Sequence, residues 1–306
     1  MAEFELTILG SNSAVPAHNR HPSAQFLKHH QTGILIDCGE GTQFQMNKYH
    51  IKRGHLNHIL ISHLHGDHYF GLVGLINSFR LNNRQHDLNI YGPPDLEQII
   101  ALQANHTDLD WPYRIRFQAL RFEEVYTLFE TDDFVVTTIP LKHKIPCSGF
   151  LIREKIKARK IVSDAIRQHG IPHQEISAIK RGGDYIKEDG SVIQNALLTA
   201  NPPPSYSYAY CSDTLYDEEL IPLIKDVDVL YHEATFKEDS KEKAALRFHS
   251  TAKEAASIAK QANVKQLIVG HYSAKYKDLG ELLAEAQEVF PNTALAIEGN
   301  SYEIKS

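Results

Sequence analysis

The sequence predicts an α/β protein with two β-rich halves, each accompanied by helices. Short β-branched and apolar runs bounded by turn residues alternate with longer segments of helical periodicity along the 306 residues. The chain contains no internal repeat of fixed period and no low-complexity tract. Layers of helix, sheet, sheet and helix would accommodate this pattern, although periodicity alone does not distinguish them from an ordinary doubly wound sheet.

The first half is predicted to contain short strands separated by two helices. The predicted strands cover 4–9, 24–28, 33–37, 58–62, 88–92, 113–120 and 133–141. A buried helix is predicted over 70–80. A second helix near 95–104 is expected to begin after the Gly92-Pro93-Pro94 turn, because proline is favoured at the start of a helix. This alternation of strands and helices places the first half in the α/β class.

The second half repeats the alternation after a less regular segment. Strands are predicted over 205–212, 227–234, 266–271 and 293–299, and helices over 250–262 and near 278–289. Thr251 and Glu254 have the spacing of a capping box, which predicts where the helix over 250–262 begins. We interpret the charged, glycine-containing segment of about 153–205 as an arm inserted into a single domain that covers 1–306.

Composition and charge limit the classes of function. No run of 18 apolar residues is present, and the N-terminus lacks the basic and apolar regions of a signal peptide, so we expect a cytoplasmic protein. Cys38, Cys147 and Cys211 are odd in number and form no CxxC pair, so we expect reduced, buried thiols. The net charge of −6 argues mildly against a protein that coats nucleic acid non-specifically.

Residues 151–183 depart from this acidic balance. Eight basic side chains against three acidic ones give the segment a local charge of +5. The basic residues are Arg153, Lys155, Lys157, Arg159, Lys160, Arg167, Lys180 and Arg181, and the acidic ones are Glu154, Asp164 and Glu175. Charge alone favours a solvated helix face here, but a local patch of this kind is also compatible with a nuclease.

The densest group of metal-capable side chains lies in the stretch ISHLHGDHYFG, residues 61–71. His63, His65, Asp67 and His68 follow directly on an apolar run that is predicted to be a buried strand. A strand end holds a loop in place, and the loop then supplies the geometry that a metal ion needs. The HxHxDH pattern at this position therefore predicts a metal site.

Three further side chains of the same kind, His143, Asp213 and His271, each come at the end of a predicted strand. A single histidine in such a place is more often a packing or surface residue, so these three gain weight only as a set. Imidazole nitrogen and carboxylate oxygen without thiolate suit zinc, manganese or iron. Seven candidate ligands exceed the needs of one tetrahedral ion and suit two ions that share a bridging carboxylate. The remaining histidines of the N-terminal region are predicted to lie at the surface or in local hydrogen bonds: His18, His21, His29, His30, His50, His55 and His58.

Motifs from residue 9 to residue 271 resemble the ribonuclease Z family, the tRNA 3′-processing endonucleases of the metallo-β-lactamase superfamily. The HxHxDH motif is similar to that of the whole superfamily. The blocks similar to ribonuclease Z are LGSNSAVP (9–16), DCGEGTQ (37–43), HGDHYFGLVGL (65–75), LNIYGPPD (88–95), YCSDT (210–214), HEATF (232–236) and HST (249–251). HEATF followed by HST favours this family over the lactamases, glyoxalases and flavoproteins of the same superfamily.

The resemblance implies a four-layer αβ/βα fold with two zinc ions and a hydrolytic cut that leaves a 3′-hydroxyl on the tRNA and a 5′-phosphate on the trailer. It implies that the two ions share Asp213 as a bridge, with His63, His65 and His143 completing the first site and Asp67, His68 and His271 the second. In this family pattern Asp67 orients the attacking water and accepts its proton. His249, paired with Glu233, stabilises the leaving 3′ oxygen. Asp37 is expected to hydrogen-bond groups around the ligands or the loop backbone.

The resemblance also implies a homodimer whose arm holds precursor tRNA. Lys180 and Arg181 lie in the corresponding stretch and are candidate substrate-binding residues. The sequence departs from the family pattern where His173-Gln174-Glu175 replaces the Gly-Pro expected after Pro172. We therefore expect the arm to differ in shape from the usual one, which bears on RNA affinity and not on the metal chemistry.

Three alternatives remain open at this point. A zinc phosphodiesterase of the same fold that acts on small or other nucleic-acid substrates would use the same ligands. A lactam or thioester hydrolase would share the HxHxDH motif but would not need a basic arm. An RNA-binding module with a structural metal would bind without turnover, and loss of Asp67 would then leave its binding unchanged.

Overall fold

The computed structural model describes residues 4–105 and 111–305, and within them two seven-stranded β-sheets pack face to face. Apolar side chains of both sheets meet in one core, for example Leu6 and Ile34 of the first sheet with Phe150 and Tyr231 of the second. Helices cover the outer face of each sheet. The layering of helix, sheet, sheet and helix that the sequence predicts is therefore confirmed.

The strands are short, and most of their residues are buried. In chain order they are β1 (Phe4–Gly10), β2 (Ala24–His29), β3 (Thr32–Ile36), β4 (Leu56–Leu60), β5 (Leu88–Gly92), β6 (Ile115–Ala119), β7 (Thr127–Glu130), β8 (Phe134–Leu141), β9 (Cys147–Glu154), β10 (Lys160–Ile161), β11 (Tyr185–Ile186), β12 (Val192–Ile193), β13 (Thr199–Ala200), β14 (Ser207–Cys211), β15 (Val229–Glu233), β16 (Gln266–Gly270), β17 (Thr293–Leu295) and β18 (Ser301–Glu303).

The helices range from single turns to eleven residues. In chain order they are α1 (Thr42–Lys48), α2 (Gly66–Tyr69), α3 (Leu72–Leu81), α4 (Asp95–Asn105), α5 (Ser163–Gln168), α6 (Ile176–Lys180), α7 (Asn195–Leu198), α8 (Leu220–Leu223), α9 (Lys241–Leu246), α10 (Ala252–Gln261) and α11 (Gly280–Val289). Short 3₁₀ turns cover Arg53–His55, His173–Glu175 and Glu238–Ser240. The predicted capping box of α10 is confirmed, because the Thr251 side chain accepts from the Glu254 amide and the Glu254 side chain accepts from the Thr251 amide.

Strand order explains why one edge of the molecule collects the loops that carry polar side chains. The first sheet has the order β18-β1-β2-β3-β4-β5-β6, and the second has the order β17-β16-β15-β14-β9-β8-β7. Strands β14, β15 and β16 run parallel, and β8 runs in the same direction because β9 lies antiparallel between β8 and β14. The carboxyl ends of these strands therefore lie on the same side of the second sheet, which is where ligand sites of parallel sheets are commonly found.

The division of the chain between the sheets differs from the expected two halves. Strand β8, predicted over 133–141, lies in the second sheet and not with the other strands of the first half. Strands β7, β9 and β18 and helix α1 were not predicted. Strand β9 is buried over most of its length but ends in Arg153 and Glu154, and these charges made its end resemble the basic segment that follows. The strand predicted over 293–299 ends at Leu295, after which the chain turns at Gly299 and adds β18 to the first sheet.

Residues 155–206 lie between the paired strands β9 and β14 and correspond to the segment of about 153–205 that is interpreted from the sequence as an arm. This segment contains two small two-stranded sheets, helices α5 to α7 and an apolar cluster of its own. The buried members of that cluster are Ile171, Ile179, Ile193 and Leu198. This cluster gives the arm a local core that the sequence, interpreted there as irregular, did not predict.

One carboxylate ties both ends of the arm to the body. Glu154 accepts hydrogen bonds from His29 Nε2 at 2.8 Å, Lys157 Nζ at 3.0 Å and the Tyr206 amide at 2.8 Å. His29 belongs to β2 of the first sheet, is buried and bonds a residue 125 positions away, so the predicted surface position or local hydrogen bond is wrong for this histidine. The side chain of Glu154 thus joins the first sheet, the start of the arm and its end.

Two composition-based expectations can be compared with the structure. Cys38, Cys147 and Cys211 are all free and buried, as predicted. Among the described helices, none combines the length and apolar character that a membrane crossing requires.

Candidate metal centre

The seven side chains predicted to bind metal lie together where the loops of both sheets meet. His63 and His65 follow β4, and Asp67 and His68 lie on the short helix α2 directly after them. The other three follow β8, β14 and β16 and are His143, Asp213 and His271. The strand ends thus bring side chains separated by more than 200 residues to a common point.

The first group consists of His63, His65, His143 and Asp213. His63 Nε2 lies 3.0 Å and His143 Nε2 lies 3.2 Å from His65 Nδ1. The Asp213 Oδ2 atom lies 3.7 Å from each of the first two nitrogens. Tetrahedral zinc with bonds of about 2.0 to 2.1 Å holds its ligand atoms roughly 3.3 Å apart, so this spacing fits one ion.

The second group consists of Asp67, His68 and His271, with the other oxygen of Asp213 beside them. Asp213 Oδ1 lies 3.4 Å from His68 Nε2 and 3.2 Å from His271 Nε2. Asp67 Oδ2 lies 3.5 and 3.4 Å from the same two nitrogens. Asp213 therefore presents one oxygen to each group, which is the arrangement of a bridging carboxylate.

Two orphaned nitrogens show that the second group is suited to a metal ion. Nε2 of His68 and Nε2 of His271 are buried and have no hydrogen-bond partner. Their Nδ1 atoms are already bonded, to Asp37 Oδ2 at 2.7 Å and to Thr235 Oγ1 at 2.9 Å. When Nδ1 carries the proton, the Nε2 lone pair is free to bind a metal ion, and a buried lone pair without any partner is costly.

The pKa values of these side chains also favour a bound cation. Burial lowers the pKa of His63, and the neighbouring His68 adds to that effect, which favours a neutral imidazole. Burial opposes ionisation of Asp67, but His68 and His271 outweigh it and hold the pKa of that carboxyl well below its usual value. For His68, Asp213 and Asp67 outweigh burial and raise the pKa. A positive charge is thus favoured between these carboxylates, and a metal ion meets the same requirement.

Asp37 hydrogen-bonds groups beneath the metal-capable side chains, as expected. Its fully buried carboxylate accepts hydrogen bonds from the amide and hydroxyl of Ser62, from His68 Nδ1 and from the Tyr210 hydroxyl, at 2.6 to 2.9 Å. Four donors on one carboxylate fix the loop that follows β4 and orient the His68 ring. The polar contacts of Asp37 therefore connect the two sheets directly beneath the ligands.

Glu233 and His249 form the pair that the sequence predicted beside the ligands. Glu233 Oε1 accepts from His249 Nδ1 at 2.8 Å and from the Thr214 amide at 2.8 Å. Its Oε2 accepts from the hydroxyl of Thr235, which in turn bonds His271 Nδ1. Burial lowers the pKa of His249, but the Glu233 carboxylate outweighs that effect and raises it to about 9. A single carboxylate therefore orients two imidazoles and keeps one of them protonated at neutral pH.

Some supporting groups could not be recognised from the sequence. His143 Nδ1 donates to the backbone oxygen of Phe248 at 2.9 Å, and the amide of Ala14 donates to Asp67 Oδ2 at 2.7 Å. Both Phe248 and Ala14 have left-handed backbone, with φ of 59° and 62°, which is unfavourable for residues other than glycine. Backbone groups carry no sequence signature, so only Thr235, within the HEATF block, had a signal that could have been followed.

An open cavity of about 520 Å³ lies over the ligands. Asp67, Asp213, His249 and His271 line it together with side chains of the loop over 13–16 and with Phe70. His249 lies close enough to Asp213 and His271 for these three to form a further possible metal-binding set. Lys180 and Arg181 do not line this cavity, because they lie exposed at the end of α6 in the arm.

The four layers, with histidines and aspartates gathered at the strand ends, define a protein of the metallo-β-lactamase class. The chain is 43% identical over 298 residues to Ribonuclease Z of Bacteroides fragilis, which covers 97% of this chain and 98% of that one. Ribonuclease Z of Cytophaga hutchinsonii is 41% identical over 305 residues, with 99% and 96% covered. The chain belongs to the ribonuclease Z family, and its residues 4–170 match the family model described as Anti-Pycsar protein Apyc1.

Solved structures agree with this assignment of fold. The short form of human tRNase Z superposes with a TM-score of 0.71 at 25% identity and covers 99% of this chain and 100% of its own. The metallo-beta-lactamase fold protein YhfI of Bacillus subtilis superposes with a TM-score of 0.69 at 20% identity, with 98% of each chain covered. The predicted metallo-β-lactamase fold is therefore confirmed.

Proposed function

We propose that this chain is a zinc-dependent endoribonuclease that removes the 3′ trailer from precursor tRNA, leaving a 3′-hydroxyl on the tRNA and a 5′-phosphate on the trailer. The relatives named Ribonuclease Z and tRNase Z, which match almost the full chain, supply the substrate class. The observation that carries the proposal is the His249–Glu233 pair, held at 2.8 Å beside seven metal-capable side chains. Metal ligands alone would suit many hydrolases, whereas this pair adds a proton donor for a leaving group.

The residues present fit two zinc ions that share Asp213. The first ion would be held by His63, His65, His143 and Asp213, and the second by Asp67, His68, Asp213 and His271. When bound, such ions supply an acidified water and neutralise charge on the phosphodiester. Their closely spaced ligands and the orphaned Nε2 atoms of His68 and His271 support this assignment.

Asp67 is suited to hold and deprotonate the attacking water. Its pKa is held far below its usual value, so the carboxylate is ionised at neutral pH. The amide of Ala14 donates to its Oδ2 and fixes the carboxylate at the wall of the cavity. A carboxylate fixed in this way can align a water for attack on phosphorus, and it could accept the proton of a water whose own pKa bound metal ions would lower.

His249 is suited to protonate the leaving 3′ oxygen. Its Nδ1 is bonded to Glu233, and the ring lines the cavity, so Nε2 is the nitrogen that can face the substrate. With a pKa of about 9, the imidazole carries a proton at neutral pH. Asp67 and His249 thus place a proton acceptor and a proton donor in one cavity, as in-line displacement at phosphorus requires.

The arm over 155–206 is proposed to hold the tRNA away from the metal centre. Lys180 and Arg181 are exposed there, and lysine and arginine commonly contact RNA phosphates. Arg181 bonds Ser177 Oγ at 2.8 Å, which limits the positions that its guanidinium samples. A homodimer in which the arm of one subunit serves the site of the other is part of this proposal.

The direct test is cleavage of a precursor tRNA with a 3′ trailer, with the product ends mapped and the bound zinc counted. We expect one cut just after the unpaired nucleotide that follows the acceptor stem, and two zinc ions per chain. Removal of the metal with a chelator should stop cleavage, and added zinc should restore it. If a small phosphodiester is hydrolysed under conditions that leave the precursor intact, the hydrolytic activity would be supported. Precursor tRNA would then be rejected as the substrate.

Hydrolysis of small phosphodiesters is a second candidate function. The open cavity over the ligands would admit a small ester without any contribution from the arm. The match to the family model described as Anti-Pycsar protein Apyc1 covers residues 4–170, so it includes His63, His65, Asp67, His68 and His143 but ends within the arm. A dinucleotide cleaved as efficiently as the precursor would favour this candidate.

Glu233→Gln is expected to lower precursor cleavage about 10- to 100-fold at neutral pH, as loss of a group that orients a functional histidine commonly does. It should also move the alkaline limb of the pH–rate profile to lower pH. The sign follows from His249, whose protonated form is lost as pH rises through its pKa of about 9. Without the carboxylate, burial is the largest remaining influence on the ring and lowers that pKa, while Asp213 only partly opposes it.

The control for this prediction is the double variant with His249→Ala. Because Glu233 acts on the leaving group through His249, the two losses should not multiply. Any further loss in the double variant would report the bond from Glu233 through Thr235 to His271. An unchanged alkaline limb in Glu233→Gln would show that the pair does not act as the proton donor.

The double substitution Lys180→Ala and Arg181→Ala is expected to raise KM for the precursor and leave kcat nearly unchanged. Loss of two phosphate contacts should also reduce the slope of log affinity against log salt by about 1 to 2. Cleavage of a dinucleotide serves as the control and should not change, because neither side chain lines the cavity. Equal KM values in wild type and variant would place the RNA contact elsewhere on the arm.

A further inference from the structure

An aromatic side chain with no assigned role lies at the wall of the metal cavity. Phe70 directly follows α2, the helix that carries Asp67 and His68, and its side chain is 65% exposed. It lines the same cavity as Asp67, Asp213, His249 and His271. Single exposed apolar side chains are common on protein surfaces, so exposure alone assigns no role to Phe70. Its position at the wall of the metal cavity distinguishes it from other exposed aromatic residues.

The backbone beneath the Phe70 ring holds it in place. A Cβ added at Gly66 would lie only 2.1 to 2.7 Å from three atoms of this ring, so the ring occupies the space above the glycine. The Phe70 amide donates to the Gly66 oxygen at 3.0 Å, and the Tyr69 ring packs edge-on at 5.0 Å between centroids. Gly66 lies between His65 and Asp67, so the ring has a fixed position relative to the metal ligands.

A second apolar contribution to the cavity comes from the loop whose Ala14 amide bonds Asp67. Val15 is 52% exposed and lines the cavity with Pro16 and Pro22. The Asn12 side chain donates to the Val15 oxygen at 2.6 Å, and Ala14 donates to Asp67. The cavity therefore combines a polar floor suited to a phosphodiester with apolar walls suited to a flat base.

We propose that Phe70 is a stacking platform for the base immediately 3′ of the scissile phosphodiester, which is the first base of the trailer; this inference rests on the proposed function. Bases stack on aromatic side chains with little dependence on sequence, which suits trailers of varied composition.

The proposed role of His249 determines the side of the cut on which this base lies. His249 protonates the 3′ oxygen of the upstream nucleotide, so that nucleotide lies next to His249. Phe70 follows β4 of the first sheet and α2, whereas His249 follows β15 of the second sheet and α9, so the two side chains line the cavity from different sheets. The nucleotide that retains the phosphate is therefore the one that passes over the Phe70 ring.

Fluorescence of 2-aminopurine tests the contact without turnover. Precursors carry the probe either at the first trailer base or at the base just upstream of the cut, and they bind to Asp67→Asn protein. We expect quenching at the trailer position that is lost with Phe70→Leu, which keeps an apolar side chain but removes the stacking face. Quenching confined to the upstream base, or unchanged by Phe70→Leu, would overturn the inference.

Cleavage kinetics provide the second readout. With Asp67 restored, Phe70→Leu should raise KM for the precursor about 10-fold, within the range expected for loss of one stacked base, with a smaller change in kcat. A precursor with an abasic first trailer nucleotide should lose the same factor in wild type and no more in Phe70→Leu. If the increases in KM caused by the abasic nucleotide and by Phe70→Leu multiply, the ring and the base act independently. That result would reject the contact.

Phe44→Leu is the matched control, because Phe44 is 78% exposed on α1 and does not line the cavity. It should leave KM unchanged. A wild-type protein that fails to cut any precursor would reject the proposed function and this inference with it. Normal cleavage without the stacking signals would reject the inference alone.

Discussion

Asp67→Asn is expected to lower the rate of precursor cleavage by about 10³-fold or more while RNA binding stays close to that of wild type. Asparagine keeps the shape of the side chain and an oxygen that can accept the Ala14 amide, which donates to Asp67 at 2.7 Å. It loses the charge that attracts a cation and the ability to accept a proton, and general-base catalysis alone commonly contributes about 10² to 10⁴ in rate. Single-turnover cleavage and a filter-binding isotherm on the same precursor measure the two effects separately.

Glu40→Gln is the matched control for this change. Glu40 is an exposed carboxylate that lines the same cavity but belongs to none of the metal-capable groups. Its loss removes a negative charge near the substrate and should leave the rate within a few-fold of wild type. If Asp67→Asn retained a tenth of the wild-type rate, Asp67 would not be the proton acceptor. If wild type and Asp67→Asn bound the precursor equally and neither cleaved it, an RNA-binding module would become the better description.

Asp213→Ala is expected to remove both metal ions and, with them, about 10³-fold or more of the cleavage rate, since bound ions contribute several kcal/mol to such reactions. The side chain presents Oδ2 to His63 and His143 and Oδ1 to His68 and His271. No other described residue lies between both groups in this way. Zinc per chain after dialysis, followed over a range of free zinc concentrations, measures the loss directly.

Asp217→Ala is the control for Asp213→Ala. Asp217 is also a buried carboxylate in the loop after β14, but it pairs with Lys142 at 2.9 Å outside the metal-capable groups. It should retain two zinc ions and near-normal cleavage. One zinc ion retained by Asp213→Ala would show that one group binds metal without the bridge. Two retained ions would show that Asp213 is not shared between the sites.

The position of the site was predictable because its ligands follow strands. An apolar strand is visible in a sequence, and the residue after it lies at the sheet edge whatever the loop does next. The sequence alone could therefore place His63, His143, Asp213 and His271 together, and the family resemblance added His249 and Glu233. Backbone contributions from Ala14 and Phe248 depend on left-handed conformations that these residue types do not indicate.

The errors in the predicted fold have a common physical cause. Strand β9 ends in exposed Arg153 and buried Glu154, and the burial of Glu154 depends on a partner 125 residues away, since Glu154 bonds His29. No local pattern reveals such a partner, so the charges made the strand end resemble the exposed segment after it. The small core of the arm, built around Ile179 and Leu198, was missed because its elements are only two to six residues long. Periodicity needs longer segments than these.

The contacts of Glu154 determine which residues must be exchanged together when the arm is transferred between related enzymes. A chimaera that replaces residues 155–206 alone would keep Glu154 and His29 but lose the Lys157 ammonium, and it would keep the amide donor at position 206 only if the new segment returns to the same backbone position. The buried Glu154 carboxylate would then lack part of its set of hydrogen-bond donors. Residues 154–206 and His29 should therefore be exchanged together, although His29 and Glu154 lie 125 positions apart in the sequence.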